Sequence, residues 1–335
     1  MPEADGARHI AGTAVGPIGL GCMNLSHAYG VPPPPAEAVA LLERAVQLGV
    51  VHFDTAALYG FGSNETLVGQ ALSRHRSHIF LASKCGLTGI NGRRVLDGRP
   101  ETLRRTCLES LARLHTDVID LYYLHRWDRS VPIEDSVGEL ARLVSAGHIR
   151  AIGLCEVSAA TLRRAHSIHP IAALQSEYSL WTRNPEVAVL QACRRLGIAF
   201  VAFSPLTRGF FTGRVTDPAA LAPKDLRRDM PRFIEPNFSA NARLLGGYRA
   251  LAHEAGCSPA QLALAWLLHQ GPHVISIPGT TSIAHLEDNL GAANLRLHPD
   301  LLARLQALIN PATVSGARYS AAAQSDIDTE ELHAA

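Results

Sequence analysis

The stretch PAEAVALLERAVQLGVVHFD, Pro35 to Asp54, carries two periods in twenty residues. Its first part places Val39, Leu42 and Val46 on one helical face, and Pro35 stands where a first-turn proline belongs. The part that follows, VVHFD, is a short and nearly continuous apolar run. Amphipathic helix followed by apolar strand is the unit of a parallel sheet covered by helices. The same unit recurs outward in both directions. Upstream stands GLGCM. Downstream come NETLVGQALSR with IFLAS, ETLRRTCLESLARL with VIDLYYLH, and SVGELARLVSAG with IRAIGL. AATLRRAHS with IAALQSEY, PEVAVLQACRRLG with IAFVAFSP, and finally HVISIPG complete the series. Eight such strands predict an α/β fold of the closed (β/α)8 TIM-barrel kind. No GxGxxG follows an early strand, which argues against a doubly wound dinucleotide fold. A long Pro-, Arg- and Phe-rich segment, Thr207 to Leu244, follows the seventh strand and reads as a functional loop on the active face. ARLQALIN, Ala303 to Asn310, reads as an additional C-terminal helix. Residues 1–314 are expected to form one catalytic barrel, and 315–335, small and polar, a loosely held tail.

Bulk properties narrow the function. The chain has 335 residues, 47% of them hydrophobic, and a formal charge of +1 from 31 basic and 30 acidic side chains. Without a charge block, neither nucleic acid nor an anionic membrane is an expected partner. No apolar run approaches the roughly 20 residues that span a bilayer. MPEADGARHIAG has no signal-peptide core. The six cysteines form no CxxC pair. They read as reduced thiols in a cytoplasmic protein, with no zinc site.

The chemistry gathers at strand ends. Asp54 ends VVHF, Lys84 follows IFLAS, His125 follows VIDLYYL, and Tyr59 lies five residues beyond Asp54. In a barrel the C-terminal strand ends face one mouth, so these four converge. Lys84 is expected to pair with Asp54 and so remove the penalty of a buried acid. Its ammonium is expected to lower the Tyr59 pKa and make that phenol a workable general acid. His125 can orient a carbonyl and stabilise charge growing on its oxygen. A proton delivered to a carbonyl oxygen implies hydride delivered to its carbon. No side chain supplies hydride, so a nicotinamide cofactor is implied. A metal-dependent hydrolase on the same barrel would need an HxH pair after the first strand, which is missing.

The stretches GLGCM, FDTAALYG, ASKCG, DLYYLHRWD, IRAIGL, LQSEYSL, FSPLTRGFFTG and IPGTTSIAHLEDNLGA, in this order over roughly residues 10 to 310, resemble the aldo-keto reductases. The HRWD and SEYSL wording is closest to the bacterial and plant branch that reduces aldehydes and ketones. The resemblance implies a barrel with the cofactor extended across its mouth, and Asp54, Tyr59, Lys84 and His125 as catalytic tetrad. It implies cofactor contacts from Gln175, Cys155 and Glu156 at the nicotinamide amide, with Cys155 replacing the family's serine. Phe203 would stack on the ring in place of the usual tyrosine. Ser204, Leu206, Arg208 and Gly209 would hold the pyrophosphate, in a turn where Thr207 stands for a common glycine. Gly279, Thr280, Thr281 and His285 would meet the adenosine phosphate, and Asp288 and Asn289 the adenine. NADPH is the expected cofactor. Thr281, Ser282 and His285, however, stand where relatives place Lys or Arg for the 2′-phosphate, so NADH use is also expected to be feasible. Met23, Asn24, Trp127 and the loop from Arg228 to Phe238 are expected around a small aldehyde or ketone. Arg126 is read either as attracting an acidic substituent or as pairing with Asp128. The chain is expected to be a monomer or a homo-oligomer. The competing reading is a cofactor-binding regulatory subunit of a channel, with little turnover.

Overall fold

The computed structural model describes residues 7–26, 28–90 and 92–332. Eight strands form one parallel sheet in chain order. They are β1 (Leu20–Gly21), β2 (His52–Asp54), β3 (Phe80–Cys85), β4 (Ile119–Leu124), β5 (Ile149–Cys155), β6 (Ile171–Glu177), β7 (Ala199–Phe203) and β8 (Val274–Ser276). The last strand returns to the first. Ile18 bridges Ser276 in parallel sense, the Gly19 N–H donates to the Ser276 carbonyl at 2.8 Å, and the Ser276 N–H donates to Pro17 at 3.0 Å. The sheet is therefore a closed barrel, as the repeated unit predicts.

The two-residue period of each strand sorts its side chains. Phe80, Ala82, Leu121, Tyr123, Ala151, Val201 and Ile275 point inward and form a buried interior cluster. Their neighbours Leu81, Tyr122, Ile152, Phe200 and Val274 point outward into a second cluster beneath the helices. An N-terminal hairpin, His9–Ile10 with Thr13–Ala14, adds Ile10 and Val15 to the interior cluster and so plugs the end where the strands begin. The opposite end stays open, and there the registers align Gly21 with Asp54, Lys84 with Tyr123, and Cys155 with Gln175.

The ring of helices comprises α1 (Pro35–Gln47), α2 (Ser63–Leu72), α3 (Pro100–Leu114), α4 (Ile133–Ser145), α5 (Ala159–Ile168) and α6 (Val189–Leu196). Between β7 and β8 come α7 (Asn237–Ala242), α8 (Leu244–Glu254) and α9 (Pro259–Leu268). After β8 come α10 (Ile283–Gly291), α11 (Pro299–Leu308) and α12 (Ala321–Gln324). The expected extra helix is α11. A hairpin unmarked in the sequence pattern, Leu87–Ile90 with Arg93–Leu96, follows β3 at the mouth. The long segment after β7 is anchored by its aromatic residues. Trp181 stacks on Phe210 at 5.1 Å and meets Phe211 and Phe233 edge-on at 5.7 and 5.8 Å.

The segment from Ser315 differs from the loosely held tail expected of it. Arg318 is 7% exposed and pairs with Glu156 at 2.7 Å. Asp328 accepts from the hydroxyls of Ser158 and Thr161 at 3.0 and 2.7 Å. The cause is the buried Glu156 carboxylate, which needs a cation that the barrel strands do not provide. Residues 333–335 lie outside the described residues. Among those described, no helix is long and apolar enough to cross a membrane.

Candidate active site

Asp54 and Lys84 are brought together because β2 and β3 pair with Asp54 opposite Ala82, which leaves Lys84 one inward step further along. Tyr59 arrives from the loop after β2. That loop is pinned to β3 by the Thr55 N–H on the Ala82 carbonyl and the Ala57 N–H on the Lys84 carbonyl. It then turns back through left-handed φ values at Gly60, Phe61 and Gly62. A Cβ on Gly60 would sit 2.2 Å from the Ser63 hydroxyl, so this turn needs a glycine there.

An ammonium has three N–H groups, and Lys84 uses all three. It pairs with Asp54 Oδ1, donates to the Thr55 carbonyl at 2.8 Å, and donates to the Tyr59 hydroxyl at 3.2 Å. The other Asp54 oxygen accepts from Gln175 Nε2 at 2.7 Å. His125 stands edge-on to Tyr59, ring centroids 5.8 Å apart. All four expected residues are buried and converge.

The electrostatics depart from the sequence expectation at Tyr59. Burial pushes its pKa up to about 12, against the downward pull of Lys84. Desolvation of the phenolate is the larger effect because the whole group lies inside the barrel mouth. Burial likewise opposes the charge on Lys84, but Asp54 and Tyr59 outweigh it and hold the ammonium above the ordinary lysine value. Burial, then Arg126, Lys84 and Arg94, hold His125 well below its usual range, so it is a neutral imidazole. Burial pushes the Cys155 thiol up to about 11, which leaves it protonated and poorly nucleophilic.

A cleft of about 740 Å³ opens over this group. It is lined by Asp54, Tyr59 and His125, with Met23 and Asn24 from the loop after β1. Along it lie Cys155, Gln175 and Phe203, then Ser204, Leu206, Arg208 and Gly209. Beyond them are Gly279, Thr280, Thr281, His285, Asp288 and Asn289. Ser204, Thr207, Arg208 and Gly209 adopt φ of 51°, 51°, 55° and 83°. Left-handed residues in a short turn form backbone concavities of the kind that hold anions. At such a φ a β-branched side chain like that of Thr207 is strained, and glycine would not be.

Three expected site residues are placed otherwise. Glu156 turns from the cleft toward Arg318, and accepts from the Ser176 hydroxyl at 2.6 Å and the Glu177 N–H at 2.8 Å. Its left-handed φ of 56° directs it away. Trp127 does not line the cleft. Its indole N–H donates to the Val131 carbonyl at 2.9 Å and its ring faces Arg164 on the outer wall. Arg208 lines the cleft, but its guanidinium is engaged by Glu177 at 2.6 Å and by Tyr29 at 3.1 Å. That leaves the backbone of its turn, more than its charge, to meet an anion. Leu226, Arg227, Asp229 and Met230 of the long loop reach the cleft, whereas Arg228 turns to the Ala219 and Leu221 carbonyls at 3.3 and 2.8 Å, and Phe233 and Phe238 are core.

Several lining residues escaped the sequence reading. Arg214, Tyr319, Arg94 and the start of α9 from its cap Ser258 to Ala260 lie outside the stretches that the sequence reading placed at the site. Asn64, fully buried, accepts from Thr55 at 2.7 Å and donates to the Cys22 carbonyl at 2.9 Å, fixing the loop after β2 that carries Tyr59 and the loop after β1 that carries Met23 and Asn24. A polar residue just ahead of an apolar helical run was its only signal.

Comparison with known proteins gives a consistent answer. Residues 17–310 match the model of the Aldo/keto reductase family. The chain is similar to the glycerol dehydrogenase AKR11B4 from Gluconobacter oxydans, with 28% identity, 92% of this chain and 97% of that one covered, and a TM-score of 0.83. It is also similar to an aldo/keto reductase from Klebsiella pneumoniae solved with NADP and acetate, at 26% identity, 95% and 99% coverage and a TM-score of 0.73. A further Klebsiella pneumoniae aldo-keto reductase, solved with NADPH, gives 28% identity, 91% and 95% coverage and a TM-score of 0.68. With its closed barrel, its four convergent side chains and a family match across most of its length, this chain belongs to the aldo/keto reductase family of oxidoreductases.

Proposed function

We propose that the protein reduces an aldehyde or ketone to the alcohol with a nicotinamide cofactor, NADPH before NADH. The observation that carries this reading is the full use of the Lys84 ammonium between Asp54 and Tyr59. The residues present fit the cofactor. Cys155, Gln175 and Phe203 offer a thiol, an amide and a ring face for nicotinamide, and the left-handed turn after β7 offers amides for phosphate. Nicotinamide supplies the hydride to the carbonyl carbon.

The remaining steps belong to this chain. Tyr59 gives its proton to the carbonyl oxygen. Lys84 stabilises the phenolate left behind, and Asp54, held by Gln175, balances Lys84. His125, neutral, has one N–H with which to orient that oxygen. Run in reverse, the same groups oxidise an alcohol, the direction in the name of the Gluconobacter relative. At the far part of the cleft Thr281, His285 and Arg214 stand together, and Arg214 supplies the cation that the Thr281–His285 stretch lacks for a 2′-phosphate.

The Tyr59→Phe variant tests the assignment. NADPH consumption with a panel of aldehydes and ketones should fall by roughly 10²–10⁴-fold, the usual contribution of a positioned general acid. NADPH binding, read by fluorescence titration, should stay within about twofold. Turnover that survives the change would remove Tyr59 from the role. Tight NADPH binding by the unaltered protein without turnover on any carbonyl would favour the regulatory reading instead.

A further inference from the structure

Five arginines line the cleft, and they divide by partner. Arg208 meets Glu177 at 2.6 Å, Arg227 meets Asp225 at 2.6 Å, and Arg94 meets Asp326 at 2.8 Å. Arg126 and Arg214 have no carboxylate within salt-bridge reach among the described residues. Arg214 is solvent-exposed, so water satisfies it. Arg126 is not. It is half-buried, its Nε is buried without a hydrogen-bond partner, and its contacts are the His125 carbonyl at 2.6 Å and the Cys155 sulfur at 3.4 Å. Asp128, the acid two residues on, is occupied by the Gly98 N–H at 3.1 Å and by Ser130.

A guanidinium withdrawn from water without an opposing charge is unfavourable by itself. Glu156 pulls on it through space, but that carboxylate makes its direct ion pair with Arg318. A guanidinium without a direct carboxylate partner therefore lines the cleft beside His125, where the carbonyl of a substrate would lie. We propose that Arg126 is a specificity residue that binds a carboxylate on the substrate, so that the preferred substrates are oxo acids carrying the carboxylate a few bonds from the carbonyl. The planar fork of arginine matches a carboxylate better than any other anion-binding side chain does. This inference rests on the reductase reading and narrows it from carbonyl compounds at large to anionic ones.

The test uses matched pairs with the full-length protein and NADPH. 4-Carboxybenzaldehyde is compared with methyl 4-formylbenzoate, and succinic semialdehyde with butanal. The charged member of at least one pair should have a kcat/KM at least tenfold higher. Arg126→Gln should erase that preference while the neutral member stays within about twofold. The NADPH dissociation constant and the melting temperature should also hold, which shows that the loss is not one of folding or cofactor binding. Binding of benzoate to the NADP-loaded protein, read by calorimetry, should weaken at least tenfold in the variant. Indifference to charge in both pairs would overturn the proposal, as would an equal loss on charged and neutral substrates, which would assign Arg126 to the cofactor or the fold. Failure of the reductase reading alone looks different: no aldehyde consumes NADPH, yet benzoate binding persists and depends on Arg126.

Discussion

Tyr59 holds its proton more firmly than a free phenol, at a pKa of about 12, and this suits a reductive direction. In the proposed reaction the oxygen that receives its proton becomes an alkoxide, whose basicity approaches that of hydroxide, with water at ~15.7. Transfer from a phenol at 12 to such an oxygen is still downhill. Up to that moment the acid stays fully loaded at neutral pH. Only a pKa brought close to neutrality would leave an appreciable fraction of the protein as phenolate. Lys84 therefore acts on the product of proton transfer more than on the resting phenol. Arg214 raises a separable question of single-residue chemistry. It lowers the His285 pKa from the same stretch of cleft, second to burial, and a 2′-phosphate gains most from charge-assisted partners. Arg214→Ala should lower kcat/KM with NADPH by about tenfold, the small end expected of an exposed charge-assisted contact, and leave NADH within about twofold. Equal loss with both cofactors would remove the 2′-phosphate as its partner.

The segment from Ser315 to Asp328 acts as one piece with the barrel mouth. Its Arg318 satisfies Glu156, its Tyr319 lines the cleft under Arg208, and its Asp328 meets the start of α5. Removing one partner of a buried ion pair leaves the other charge unpaired, which costs about 3–5 kcal/mol. Arg318→Met should destabilise by that amount in urea titration, and should raise KM for the carbonyl more than for NADPH, because Tyr319 loses its anchor. A change below about 1 kcal/mol would mean that Glu156 finds water instead. This element also marks how far the sequence is legible. The eight strands and their helices announce themselves because burial on both faces forces short, nearly continuous apolar runs, and the convergence of Asp54, Tyr59, Lys84 and His125 is legible because topology alone sends strand ends to one mouth. Arg318 and Arg214 are not found, because Arg318 pairs with Glu156 and Arg214 enters the cleft near His285, each distant in sequence, and nothing local marks a proximity that only the closed barrel creates. Trp127 misled for the converse reason. Two residues past His125 it stands near the site in sequence, but its indole turns to the outer wall to reach the Val131 carbonyl.

The whole barrel carries an acid weakness built into its interior. His52 lies two residues before Asp54 on β2, fully buried and edge-on to Phe80 at 5.6 Å, with neither ring nitrogen hydrogen-bonded. Burial lowers its pKa from the ordinary 6.5 to about 4, although Asp54 pulls the other way. The unfolded chain takes up the proton near pH 6.5 and the folded chain resists until about pH 4, so the linked stability is whole above pH 6.5 and declines as pH falls between these values. At about 1.36 kcal/mol per pKa unit the decline is on the order of 3 kcal/mol. Because the interior cluster joins strands from all round the barrel, the loss should register as global unfolding and not as local fraying. His125, also held neutral by burial, adds to the same acid limb. His52→Phe replaces one flat ring by another without the nitrogens. It should leave stability at pH 7.5 unchanged or slightly higher, and should remove much of the fall between pH 6.5 and 4.5 that the unaltered protein shows in urea titrations. Parallel decline of variant and parent across that window would move the acid weakness away from His52 and onto the paired carboxylates of the surface.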